Sequence, residues 1–565
     1  MLNFDSWLTT YTLSGFALVL ILSFIFLKRI LAGELSEKQS VWIWGVIFVL
    51  LLIFMRYPFI AYNYELDIDE SQMLAQAFSL KKYWVYWKYV DGLTQGPLAS
   101  YFLIIPSWFG MPFDYTSARI VGLIVLLVTL LATYGTLRNL FGPPISLIVF
   151  APVAYFYLLS QGVFSTLYND YVALLLLSVC FWLFSILYTQ KKPDTRTLCL
   201  IGLVAGLVPF GKLQGVPTAL IIALFSAVIV LQRSDKIFRH FSFLVLGGIT
   251  FPAIIVSLAI HYDAFDYFWN FYIVSNMEYT SGTTLLQKAL NFPNFLRLAL
   301  QFAYLLFSFL ILSVVGSWLL LRFRLVGKTI NLLFAFGLVQ VAVAFYAVIK
   351  SGYLFPHYLQ FMIIPLAIFS GALLEISWER IQWNYQKTRM AAAFWLVFCI
   401  LPHLLYKLTT VGGFTSVGYK RMTKEELGKP LQISAIAHEI LKYTRPGEDL
   451  AVWGWNPAYH IETELAQGTG DNEIYRVLTP APRRQEHLDK YIDDLNRSKP
   501  PVFVDQITDH SNWFNDPDRY KHERIAQLRD FVARNYQLVS TIDQERIYVR
   551  KDRLSLVSGV HGPAR

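Results

Sequence analysis

About twelve stretches of about 14–24 residues are apolar enough to be read as bilayer spans, and short polar loops separate them. They cover 11–27, 41–55, 118–137, 144–160, 171–189, 197–210, 216–231, 242–260, 298–321, 329–348, 358–374 and 391–408. Lipid offers no hydrogen bonds, so each run must satisfy its own backbone and is expected to be a helix. The composition agrees: 55% of the chain is hydrophobic and 15% charged, against about 25% charged in soluble domains. A thirteenth run, 97–110, is short and broken by Pro97, Pro106 and Gly110, and is expected to lie at the interface. Asp5 precedes the first run and no charged segment does, so no cleaved leader is expected. Cys180, Cys199 and Cys399 fall inside the runs, as buried thiols would, with no metal-ligand spacing.

Basic residues set an expected orientation. Lys28, Arg29, Lys38, Arg138, Lys191, Lys192, Arg196, Arg233, Lys236, Arg239, Arg322, Arg324, Lys328, Arg380, Lys387 and Arg389 occupy alternate loops. If 97–110 does not cross, all of them fall on the cytoplasmic side. The net charge of +9 is then a matter of topology, and no nucleic-acid partner is implied. Loops 56–117 and 261–297 and the C-terminal region are expected outside the cytoplasm.

The first long outer loop carries Glu65, Asp67, Asp69 and Glu70 within six positions. Carboxylates this close must stay wet, bind a proton or share a cation. Glu65 reads as solvated, and Glu70 reads equally as a solvated helix-start residue. A short helix over 71–80 and an aromatic stretch, 83–89, follow. Beyond about residue 410 the apolar runs shrink and charge rises. Strands are expected at 449–454, 501–505 and 545–550, and helices at 431–443 and 518–534. The expected organisation is a membrane domain over 1–410, an extracytoplasmic α/β domain over 411–553 and a disordered tail over 554–565.

Several motifs occur in a telling order: a span before Asp69-Glu70, then Gly96-Pro97-Leu98 opening a short apolar helix. Arg119 heads a span, Leu137-Arg138-Asn139-Leu140-Phe141-Gly142 ends one, and Pro356-His357-Tyr358-Leu359 precedes a span containing Pro365. Over roughly 40–375 the chain resembles the GT-C glycosyltransferases, in the branch of the protein O-mannosyltransferases and the aminoarabinose transferases acting on lipid A. Many members carry a His or Lys before the Pro-Pro-Leu turn; Gln95 stands in that position here.

The resemblance implies an all-α polytopic membrane domain of about 12 helices with a C-terminal extracytoplasmic α/β domain. It implies transfer of a sugar from a polyprenyl-phosphate carrier to an envelope glycan, lipid or protein, with inversion, at a bacterial inner membrane. Asp69 is the first candidate base and Asp67 the second, with Glu70 orienting it. Lys212, Arg119, His357, Tyr358 and Lys350 are candidates for the donor phosphate. Snorkelling of Lys212, a helix anchor at Arg119 and a satisfied turn residue at His357 are the alternatives. Asn169, Asp170, Trp84 and Trp87 are candidates for the acceptor or sugar, with a helix N-cap competing at Asn169 and Asp170. Trp453 and Trp455 are further possible sugar platforms. Should a divalent cation (Mg or Mn) take part, Asp67 and Asp69 would hold it. A transporter or flippase of lipid-linked saccharides and a non-catalytic scaffold are the competing functions.

Overall fold

The computed structural model describes residues 7–31, 37–160, 164, 167–323, 331–378, 385–409, 422–480, 482–511 and 513–558. Arg324, Lys328 and Arg380 of the basic loops, 411–421 at the start of the expected C-terminal domain and the tail from 559 lie outside the described residues. The chain forms two compact units, each discontinuous in sequence.

One unit comprises Met1–Tyr62, Gly122–Ile255 and Tyr279–Leu427. It is helical, as lipid burial of a backbone demands. Among the described residues of the whole chain, nine helices are long and apolar enough to cross a membrane, and Pro143–Leu159, Thr195–Gly211 and Val397–Tyr406 are shorter apolar helices. The apolar runs read from the sequence thus fall in helices; Pro143–Leu159 and Thr195–Gly211 are shorter than a full crossing, and Val397–Tyr406 belongs to the 25-residue helix Tyr385–Thr409. Segment Pro356–Ile376 is 83% buried and Ile237–His261 only 17%. The first is therefore interior and the second leaves most of its surface uncovered.

Small residues set the tightest packing. A Cβ on Gly202 would meet the Leu244 carbonyl oxygen at 2.2 Å, one on Gly206 the Gly248 oxygen at 2.5 Å, and one on Gly247 the Cys199 oxygen at 2.4 Å. Helices Thr195–Gly211 and Ile237–His261 thus touch backbone to backbone, the small-residue mode of membrane helix association.

The other unit comprises Asn63–Val121, Val256–Glu278 and Gly428–Arg565. Its centre is a five-stranded sheet of order β2-β1-β3-β5-β4: β1 Asp449–Trp453, β2 Ala466–Gln467, β3 Val502–Asp505, β4 Tyr536–Ile542 and β5 Glu545–Arg550. β2, β1 and β3 are parallel; β5 pairs antiparallel with both β3 and β4. Alternation along the strands fills two cores. Ala451, Trp453, Phe503 and Tyr548 pack on one face with Tyr491, Leu495 and Leu528. Leu450, Val452, Val502, Val504, Ile547 and Val549 pack on the other with Ile436, Ile440 and Tyr459. Helix Lys551–Ser558 extends into the segment expected to be an unstructured tail.

The first long loop belongs to this unit. Its helix, Ile68–Tyr83, runs beside the β2 edge. The Ser79 hydroxyl accepts from Gln467 N at 2.9 Å, Gln72 donates to Glu473 at 2.7 Å, and Lys82 and Tyr83 both reach Asp449. An edge strand of two residues is covered in this way instead of being left to pair with another chain. The expected short helix 97–110 is present as Pro97–Trp108, started by Pro97 at its first position.

Candidate active site

The four acids of the first loop separate by their partners. Asp67 caps helix Ile68–Tyr83: its backbone is extended and its Oδ1 accepts from Asp69 N at 3.1 Å. Asp69 lies in the first turn, half-buried. Glu70 is buried and faces Arg119 in a two-pronged ion pair, with Arg119 Nε 2.9 Å from Oε1 and Nη2 2.6 Å from Oε2. Arg119 Nη2 also donates to the Tyr64 carbonyl at 2.7 Å. This corrects two expectations. Glu70 is not a solvated helix-start residue, and Arg119, buried and committed to Glu70, fits a loop anchor and not a phosphate ligand. Glu65 is also not simply solvated. Ser71 donates to it, and Ser71 in turn lies 2.7 Å from the Tyr115 hydroxyl. Burial raises the Glu65 carboxyl to about 7; the Ser71 hydrogen bond opposes this, and the charges of Asp67, Glu70 and Glu462 add to it.

A second cluster lies in the helical unit. Helix Thr195–Gly211 ends at Lys212, which starts a tight turn into Val216–Arg233. A Cβ on Gly211 would stand 3.2 Å from Ala173 Cα. Hydrogen at that position lets the turn close onto the start of helix Asp170–Thr189. Lys212 is buried, not snorkelling: its ammonium donates to Asn169 Oδ1 at 2.6 Å and to Asp170 Oδ1, and lies 4.5 Å from the Tyr358 ring centre. Asn169 occupies the cap position but makes no capping hydrogen bond, so the capping alternative gives way to the Lys212 contact. Asp170 Oδ2 receives no hydrogen bond, and His357 Nε2 is 3.8 Å from it. His357 is stacked on Tyr168 with ring centres 4.5 Å apart. Lys350, half-buried, lies at the end of helix Leu332–Ile349, where burial and the charge of Lys288 lower its pKa.

The aromatic candidates divide too. Trp84 is 57% exposed at the end of helix Ile68–Tyr83, its residue in the left-handed region with φ 43°. Trp87 is buried against Phe268 and Tyr272 with ring centres 4.7 and 5.6 Å away, so it presents no face to a sugar. Trp453 is core and donates to the Tyr520 carbonyl, which removes it as a platform. Trp455 stacks on Trp513, which is 48% exposed.

Sequence reasoning passed over Glu65, Ser71 and Tyr115 as a hydrogen-bonded set. It also missed Asp505, His522 and Glu523, whose possible ligand atoms lie within 4.8 Å of one another. Arg546 binds both acids of that trio, at 3.0 Å from Asp505 and 2.5 Å from Glu523, so a protein cation already shares the two carboxylates.

No family model matches this chain, and no curated protein matches it by sequence. Its fold does match solved structures. ArnT from Cupriavidus metallidurans bound to undecaprenyl phosphate aligns with a TM-score of 0.55 at 12% identity, covering 92% of this chain and 99% of that one. The apo state of the same protein aligns at 0.50, with the same identity and coverage. The oligosaccharyltransferase of Archaeoglobus fulgidus aligns more weakly, at 0.43 and 12% identity over 81% of this chain and 69% of its own. With its apolar helices and its small C-terminal sheet, the chain is a polytopic membrane protein with the GT-C fold.

Proposed function

We propose that this protein is a membrane glycosyltransferase. It moves a sugar from a polyprenyl monophosphate to a hydroxyl of an acceptor outside the cytoplasm: an envelope glycan, lipid or protein. The observation that carries this reading is the buried Lys212–Asp170–Asn169–His357–Tyr358 cluster in a membrane unit of this fold. Buried charge in a membrane protein is costly and is usually kept for function. The fold's match to a protein crystallised on undecaprenyl phosphate supports the lipid carrier.

In this reading Lys212 is the phosphate clamp. Two of its three donors go to Asn169 and Asp170, which hold the ammonium in one orientation, and the third is offered to the phosphate. His357, Tyr358 and Lys350 add polar and positive groups. Asp170 Oδ2, without a hydrogen bond, suits a sugar hydroxyl. Asp69 takes the acceptor proton as the acceptor oxygen attacks the anomeric carbon. The bond from that carbon to the phosphate oxygen breaks, and its electron pair leaves with the phosphate. One displacement inverts the centre, and no covalent intermediate is needed because the leaving group is already good. Asp67 is the second choice as base, since its carboxylate already caps the helix. Arg119 and Glu70 hold the loop. Asp67 and Asp69 together would suit Mg²⁺ or Mn²⁺, which is often bound by one or two carboxylates and a substrate phosphate.

The test is turnover by the purified protein with a panel of radiolabelled polyprenyl-phosphate sugars and envelope acceptors. Transfer from one of them is expected. Efficient transfer from a soluble nucleotide sugar without a lipid carrier would overturn the donor class. The orientation is tested by Asn496→Cys, an exposed position of the sheet unit. It should react with an impermeant thiol reagent in intact spheroplasts, and labelling only after lysis would place the unit in the cytoplasm.

A further inference from the structure

The turn 91–96, which leads into helix Pro97–Trp108, is held within the sheet unit by a small set of charged groups. Asp91 N donates to the Gly470 carbonyl at 2.7 Å, and Asp91 pairs with Asp471 in a parallel bridge. Arg476 is buried and ties three segments together. Its Nη1 donates to the Phe271 carbonyl at 2.6 Å, its Nη2 donates to the Leu93 carbonyl at 3.1 Å, and Asp91 faces it at 3.6 Å. Helix Ile68–Tyr83 adds a further contact, from Gln72 to the buried Glu473.

The charges of this set do not balance. Asp91, Asp471 and Glu473 are three carboxylates around one guanidinium. Among the described residues neither Asp471 nor Glu473 has a cation within ion-pair distance: Asp471 accepts from Glu473 N and Ile474 N, and Glu473 from the Gln72 amide. The other cations on helix Arg484–Ser498 and before it have their own acids, Lys490 and Arg497 on Asp494 and Arg483 on Glu486. Tyr86 and Tyr491 are kept neutral by burial. His487, stacked on Phe271 with ring centres 4.1 Å apart, is pushed down to about 3 by burial and by Arg476, Arg483 and Lys490. Burial raises Asp471 to about 6 and Glu473 well above its ordinary value; neighbouring acids add to this and Arg476 opposes it. Burial also raises Asp91, against Arg476. The turn itself is incompletely hydrogen-bonded, since the buried Gln76 Nε2 and Gln95 Oε1 find no partner within the protein. Such a segment opens at less cost than a saturated one.

We propose that Asp91, Asp471, Glu473 and Arg476 form a pH-sensitive latch on the turn 91–96, closed while the acids retain protons and loosened when all three ionise. Three like charges packed around a single guanidinium repel one another, and moving the turn away is the way to relieve them. The sign follows from linkage. An acid whose folded value is raised stabilises the closed form fully below its unfolded value, and this is lost as pH rises through the folded one. His487 works in the opposite sense, but only below about 6.5, its unfolded value. Above that pH the acids alone set the slope, with Glu473 the last to ionise. The latch rests on the charge count of the sheet unit and stands whether or not the protein transfers sugar.

The test is hydrogen–deuterium exchange of the full-length protein in detergent, read by mass spectrometry and corrected for the intrinsic rate at each pH. Between pH 6.5 and 8.5, protection of peptides covering 90–96 and 470–476 should fall about tenfold or more, the effect of one pKa unit. Glu473→Gln keeps the shape without the charge and should hold that protection constant across the range. Arg476→Gln should move the opening to lower pH, and combining it with Glu473→Gln should move it back. Glu545→Gln, on β5 and bonded to Tyr459, removes another acid raised mainly by burial, to about 8, and should leave the response as it was. Protection that does not change with pH in the unmodified protein overturns the latch. So does an unaltered response in Glu473→Gln, or its disappearance in Glu545→Gln. If Arg476→Gln does not fold, Glu473→Gln and Glu545→Gln decide the matter between them.

Discussion

The two charge clusters handle desolvation in opposite ways. In the helical unit Lys212, Asp170 and Asn169 are all buried and paired with one another, with one oxygen of Asp170 left without a hydrogen bond. In the sheet unit one acid is buried and neutralised by Arg119, while Asp67 and Asp69 stay partly exposed. A buried pair gives a fixed geometry at a high cost of disruption. A half-exposed carboxylate remains able to exchange a proton with a substrate. The contrast predicts that changes in the first cluster act on folding and binding together, and changes in the second act on turnover or titration with the fold kept.

The largest effect should come from Asp69→Asn. Turnover of the lipid-linked sugar is expected to fall about 10²–10⁴-fold, the usual contribution of a general base, with an unchanged melting temperature. If Asp67→Asn is the more damaging of the two, the roles of the two acids exchange. Full activity in the double variant would leave the contrast without a catalytic meaning.

Asp170→Ala should leave the Lys212 ammonium buried without its counter-ion. A loss of about 3–5 kcal/mol in stability is expected for breaking one side of such a pair, read by thermal unfolding in detergent. A loss under about 1 kcal/mol is the surface ion-pair value and would mean that the cluster is wetter than its geometry implies.

The next effect is on pH dependence. The Glu65 pKa is raised from 4.5 to about 7. The folded state therefore holds this proton more tightly than the unfolded state, and the contribution is full below about pH 4.5. It is lost as pH rises through about 7. Glu65→Gln should flatten that part of the stability curve. Asp471, raised to about 6 mainly by burial, leaves a residual slope of the same sign. A curve identical to that of the unmodified protein would rule out the burial of Glu65.

The smallest effect tests the cap. Asp67→Ala should cost about 1 kcal/mol and Asp67→Asn almost nothing, because asparagine caps as well as aspartate. Equal losses from both would show that charge, not the capping oxygen, is what Asp67 contributes.

Much of the fold was readable because its signal is local. Apolar runs such as 118–137 announce membrane helices wherever they occur, and strands β1, β3 and β5 carry the short continuous apolar runs of a sheet buried on both faces. β2 is two residues long and β4 is largely exposed, so neither has a pattern to find. Helix Arg484–Ser498 is mostly polar, and its apolar core face is limited to Leu488, Tyr491 and Leu495. The candidate sites were visible as residue types but not as pairs. Arg119 and Glu70 are 49 positions apart and Lys212 and Asp170 are 42 apart, and only folding gives them to one another. The one available hint was that Lys212 and Asp170 both stand at ends of apolar runs, where an unmatched charge is costly.

The glycine contacts between Thr195–Gly211 and Ile237–His261 have a consequence for the charged cluster. Lys212 hangs from the end of the first of these helices, and its neighbours at Gly202 and Gly206 leave no space for even one methyl group against the facing backbone. A helix is a stiff rod, so a wedge inserted two or three turns away moves its tip. Gly206→Ala would shift the ammonium relative to Asp170 without altering any residue of the cluster. These plain, non-reactive positions therefore govern the geometry of the charged ones through the backbone alone.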